Sequence, residues 1–228
     1  MNPNARTRVC VLSILLAVLI VVEVVDAVLM ARHGEYRGAI VHSALTLVFL
    51  TLIVPAISRQ AKPIADSAGR LTTQAAFCLS VASLALLIII AIHDFDHMRQ
   101  AMMWGYRFSV PLLVVNFIVY VPGLAALLLA STRNVLGAVA TAIAGPLIAL
   151  SFLKLHMFGA WFPVWGPWND SFIVLGADTL SWWILWLTAT VGMLVGLIGT
   201  FVLGAVSESA RIWFRPRFKN GTKPGPIQ

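Results

Sequence analysis

Runs of apolar residues, each about as long as a membrane is thick, dominate this chain and leave few folds open to it. A hydrocarbon core about 30 Å thick is crossed by about 20 residues of helix. Spans are expected at 10–30, 39–57, 71–92, 108–130, 135–155 and 179–206. The 228 residues are 60% hydrophobic and only 11% charged, whereas a soluble domain carries about a quarter charged residues. The expected fold is all-α: a polytopic membrane protein with a six-helix transmembrane bundle over 1–206 and a basic tail over 207–228. The first apolar run is full length and lacks a clear small-residue cleavage site, so it reads as a span and not as a signal peptide.

The formal net charge of +7 does not point to nucleic acid, because the basic residues flank the spans. With six spans, Arg6, Arg8, Arg59, Lys62, Arg70, Arg133, Arg211, Arg215, Arg217, Lys219 and Lys223 share one side, against Arg32, Arg37, Arg99, Arg107 and Lys154 on the other. That bias places both termini in the cytoplasm, and the basic tail against anionic lipid of the bilayer at Ile212–Phe218, with disorder expected after it. The expected location is a bacterial cytoplasmic (inner) membrane. Cys10 and Cys78 form no Cys-x-x-Cys motif, and on the reducing side they are not expected to pair.

On this topology all five histidines and seven of the nine acids gather at the outer side. The densest stretch is His93-Asp94-Phe95-Asp96-His97-Met98-Arg99-Gln100, at the end of the third apolar run. If the helix continues, His93, Asp96, His97 and Gln100 fall on one stripe. His93 and His97, at i and i+4, have the spacing with which one helix offers two imidazoles to a metal. A solvated helix end is the competing reading of the same residues. Asp94 lies off the stripe, where Arg99 or Arg107 would pair with it.

Glu23 and Asp26 sit inside the first span. A carboxylate there costs about 3 kcal/mol on insertion scales, so it should face the bundle and have a partner. Either they help bind a cation or they lock two helices together. His156 and Asp178 bracket the longest loop, which carries Trp161, Trp165 and Trp168 between prolines. His156 and Asp178 would close the site from above. The tryptophans read first as an interfacial belt, and His33, His42, Glu35 and Asp170 as solvated groups. Pro122 should kink the fourth span, Gly145-Pro146 should bend the fifth, and the glycines of the sixth should allow close helix packing.

The strings His93-Asp94-x-Asp96-His97-x-Arg99-Gln100, Asn169-Asp170-Ser171-Phe172 and Gly176-x-Asp178-x-Leu180-Ser181-Trp182 are similar to those of uncharacterised small multi-pass membrane proteins of high-GC Gram-positive bacteria. This resemblance covers roughly the second half of the chain and implies no activity. Span count and size also resemble the membrane subunits of copper monooxygenases, without an alignment of ligand motifs.

Three functions follow as expectations. The first is an outward-facing divalent transition-metal site (zinc, copper or iron) built from His93, His97, Asp96, Glu23, Asp26 and His156, in a membrane metalloenzyme or oxidoreductase subunit. The second is a proton- or cation-coupled transporter using Glu23 and Asp26. The third is a non-catalytic subunit that docks other membrane subunits through its glycine-lined sixth span. Phosphate-loop and serine-hydrolase motifs are absent from the sequence.

Overall fold

The computed structural model describes residues 3–62, 70–161 and 166–214, with side chains to 206. Its helices are α1 (Pro3–Arg32), α2 (Tyr36–Gln60), α3 (Thr73–Trp104), α4 (Val110–Ile118), α5 (Val121–Ser131), α6 (Leu136–Phe158), α7 (Phe172–Leu175) and α8 (Thr179–Phe214). No strand occurs among the described residues. Taking α4 and α5 together as one crossing, six helical segments are long and apolar enough to span a membrane. Large apolar side chains such as Val21, Leu47, Ile143 and Phe201 point outward. A water-soluble bundle would bury them; a bilayer solvates them. The chain is a multi-pass membrane protein.

Helix α3 is the axis of the bundle. Its most apolar window is 61% buried, against 28–44% for the other spans, and it packs on α1, α5, α6 and α8. Thr72 caps its start, accepting a hydrogen bond from the Ala75 amide at 3.1 Å. It runs without a break through the His93–Gln100 stretch and ends at Gly105, whose φ of 62° is the left-handed conformation that glycine adopts freely. The polar stretch therefore belongs to a central helix.

The fourth crossing breaks where Pro122 dictates. Proline has no amide hydrogen to donate to the Ile118 carbonyl, and α4 ends at Ile118. Helix α5 restarts at Val121, with Pro122 in its first turn. The break turns Tyr120 inward, where it is 1% exposed. Pro146, by contrast, stays inside a continuous α6.

The glycines of α8 are used within the chain. A Cβ added at Gly192 would lie 2.7 Å from the Gly145 carbonyl and 2.9 Å from Ala149 Cβ. Added Cβ atoms at Gly196 and Gly199 would overlap Pro146 and Ala142. The expected docking face for other subunits is thus occupied by α6, because small residues on both helices let their backbones approach. Gly204 alone of the four has open space around it. The expected lipid attachment at Ile212–Phe218 and, for Trp165, the expected interfacial belt fall on side chains outside the described ones.

Candidate metal centre

Two helices bring three imidazoles together. His93 and His97 project from successive turns of α3, and His156 comes from the last turn of α6. All three are buried, at 0, 3 and 2% exposure. His93 Nε2 and His156 Nε2 stand 2.9 Å apart, and His97 Nε2 lies 3.3 Å from His156 Nε2. Zinc–imidazole bonds of about 2.05 Å at tetrahedral angles would hold two nitrogens about 3.3 Å apart. One ligand atom from each ring lies within 4.8 Å of the other two. Among the described residues this is the group of three or more metal-ligating side chains that meets such a criterion.

The surroundings orient the rings. His93 Nδ1 is 3.1 Å from Thr188 Oγ1 on α8. The Thr188 hydroxyl donates its own proton to the Ile184 carbonyl at 2.8 Å. It can therefore only accept from His93, so the His93 proton sits on Nδ1 and Nε2 presents its lone pair to the cluster. His97 Nδ1 lies 3.9 Å from Asp94 Oδ1, and the Tyr120 hydroxyl donates to Asp94 Oδ2 at 2.8 Å. At that distance Asp94 lies behind the imidazole without a hydrogen bond to it.

An aromatic shell closes the centre. Phe152 lies against His93, Phe172 against His156 and Trp168 against His97, with ring centroids 4.3, 4.2 and 5.8 Å apart. Trp168 is 1% exposed and also packs on Trp104, Tyr106 and Phe108. Read from sequence as part of an interfacial belt, it is instead part of the wall around the histidines.

The expected carboxylate ligands go elsewhere. Asp96 Oδ1 accepts from Arg99 Nε at 2.9 Å and Nη2 at 2.7 Å, and Asp96 Oδ2 accepts from Gln100 Nε2 at 2.8 Å. Arg99 also donates to Asp178, and both Arg99 and Gln100 donate to Ser181 Oγ at 2.7 and 2.6 Å. Asp96 thus staples α3 to the start of α8 and does not join the histidines. The Arg99 guanidinium also holds the Asp178 carboxyl well below the usual carboxylate range. Asp94, expected to pair with an arginine, turns inward to Tyr120 and His97, since Arg99 is engaged on the other side of α3.

Glu23 and Asp26 form a second buried cluster with His42. Glu23 Oε2 is 2.8 Å and Asp26 Oδ2 is 3.7 Å from His42 Nδ1, and all three residues are fully buried. His42, read from sequence as solvated, is the partner that these intramembrane acids require. Glu23 and Asp26 are not among the residues that converge with the histidines.

Comparisons with family models, with curated proteins and with solved structures find no match to this chain. The site must be read from its own atoms. The sequence supplies no signal for Thr188 beyond a hydroxyl inside an apolar run. Tyr120 is signalled only by its place ahead of the helix-breaking Pro122.

Proposed function

We propose that this membrane protein holds one divalent transition-metal ion on His93, His97 and His156. The observation that carries the reading is the convergence of three buried imidazole nitrogens, one of them fixed as a lone-pair donor by Thr188. An all-nitrogen set suits zinc, copper or iron, and three protein ligands leave a position for water or substrate. A metal there would act as a Lewis acid on a bound oxygen or lower the pKa of bound water. Hydrolytic or oxidative chemistry fits this description.

The test is metal analysis of the full chain purified in detergent after dialysis against metal-free buffer. One equivalent retained by the wild type and lost in His93→Ala/His156→Ala supports the centre. Substoichiometric metal in both, after zinc, copper and iron have each been offered, refutes it.

Proton- or cation-coupled transport is the second reading, favoured by the Glu23–Asp26–His42 cluster buried between α1 and α2. Reconstituted protein would then carry a cation or proton flux that Glu23→Gln abolishes.

A further inference from the structure

We infer that the pocket between α4 and α6 binds an apolar molecule carrying one neutral oxygen, a ketone or alcohol on an alkyl body, admitted from the bilayer beside the histidine centre. As a substrate site for that centre the pocket rests on the metal reading; as a binding site it stands on its own walls.

The pocket encloses about 340 Å³, at the lower end of the ~300–1,000 Å³ typical of small-molecule sites. Leu112, Val115 and Val119 of α4 face Phe152 and Leu155 of α6 across it. Helix α4 packs against α2, so α6 is left uncovered on this side. Val115 and Val119 of α4 and Ser151 and Leu155 of α6, which line the pocket, are themselves partly exposed, so the opening lies between two spans and faces lipid. A molecule dissolved in the bilayer reaches it without crossing water.

Asp94, His97, Asn116, Ser151 and Lys154 interrupt the apolar lining and set the ligand's chemistry. His97 and Asp94 form the end nearest the centre. Asn116 is 3% exposed, lines the pocket, and its Nδ2 has no hydrogen-bond partner among the described residues. A buried amide donor without an acceptor is costly, about 1–3 kcal/mol, and a ligand oxygen would satisfy it. His97 Nδ1 is likewise buried without a hydrogen bond. Asp94 disfavours an anion at the end nearest the centre; the Lys154 ammonium, also in the lining, donates to the Gly159 carbonyl at 2.7 Å. A neutral oxygen on an apolar body satisfies both the walls and Asn116. His97 belongs to pocket and centre alike, so such an oxygen would lie next to the metal position.

The experiment is photolabelling of the full chain in lipid nanodiscs with a diazirine-bearing alkyl ketone, followed by peptide mapping. Labels are expected on 112–119 and 151–155, with competition by methyl nonyl ketone well ahead of undecane or undecanoate. Asn116→Leu should weaken the ketone competitor about fivefold to tenfold, the loss of one hydrogen bond, and Val115→Trp should fill the cavity and abolish labelling. His93→Ala/His156→Ala dismantles the centre and leaves these walls in place, so labelling there should persist. Labelling spread over all lipid-facing helices would overturn the inference, as would undecane or undecanoate competing as well as the ketone. Either result leaves the metal assay unaffected, and a failed metal assay leaves the labelling pattern unaffected.

Discussion

His93 Nε2 and His156 Nε2 lie 2.9 Å apart, although the two residues are 63 positions apart in the chain. Two neutral imidazoles in this arrangement gain at most one hydrogen bond. A third at 3.3 Å from His156 gains no further proton to share if its own Nε2 is bare. A cation at their common focus would satisfy all three. Each single substitution of His93, His97 or His156 by alanine should therefore lower affinity for the proposed metal by at least a hundredfold, read by competition with a calibrated chelator. A variant that binds as tightly as the wild type would remove that residue from the centre.

Thr188 acts on the centre only through His93. Replacing it with valine keeps the shape and deletes the acceptor for His93 Nδ1–H. Losses of about 10–100-fold in metal affinity accompany removal of such supporting groups, and Thr188→Val should fall in that range while Thr188→Ser recovers most of it. Equal affinities in all three proteins would show that the hydroxyl has no part in orienting the ring.

Arg99 bridges a buried acid, Asp96, and a half-exposed one, Asp178. Arg99→Ala leaves Asp96 buried without its cation, a change that costs about 3 kcal/mol in other proteins. A clear drop in thermal midpoint is expected in detergent. Asp178→Asn should cost less, because solvent screens that pair.

The Asp178 pair also sets a pH dependence. The carboxyl's folded pKa is depressed by Arg99 and the Ser181 amide, below about 3.9 for an unfolded aspartate. Its contribution is complete above the unfolded value and is lost as pH falls through the folded one. Melting curves of wild type and Asp178→Asn should therefore converge as pH is lowered from about 5 to about 2. Parallel curves over that range would rule out this linkage.

Gly145 and Gly204 make a contrasting pair. A Cβ at Gly145 would overlap the Gly192 carbonyl, whereas one at Gly204 meets nothing within 4 Å. Gly145→Val should force α6 from α8 and lower stability by several kcal/mol, as overpacked cores do. Gly204→Ala should be neutral or slightly stabilising, since alanine is the better helix former. Matching thermal midpoints for the two variants would contradict the packing described.

The six crossings were legible because a bilayer imposes length and apolarity on any helix that spans it, and these two properties are written locally. The pairing of His93 with His97 was legible for the same reason: helical spacing alone sets it. His156 could be placed at the right depth from its position at the end of a span. What local spacing does not contain is helix rotation. Asp96 shares a stripe with the histidines, yet a modest angle along that face directs it to Arg99 and Gln100. Glu23 and Asp26 reach a suitable depth, but α1 is turned so that they meet His42 of α2. Asp94, Tyr120 and Thr188 depend on which neighbour each helix faces, information carried only by the packed bundle.

The support for His93 comes from α8, which leaves the ribosome after the two helices that carry the imidazoles. A nascent chain stopped after α6 would already own every imidazole of the trio, but nothing would hold His93 in its lone-pair form and no Ser181 would complete the Arg99 staple. Metallation would then wait for membrane insertion of α8, and a truncation before α8 that spares all the ligands would still yield a protein with a poorly formed centre.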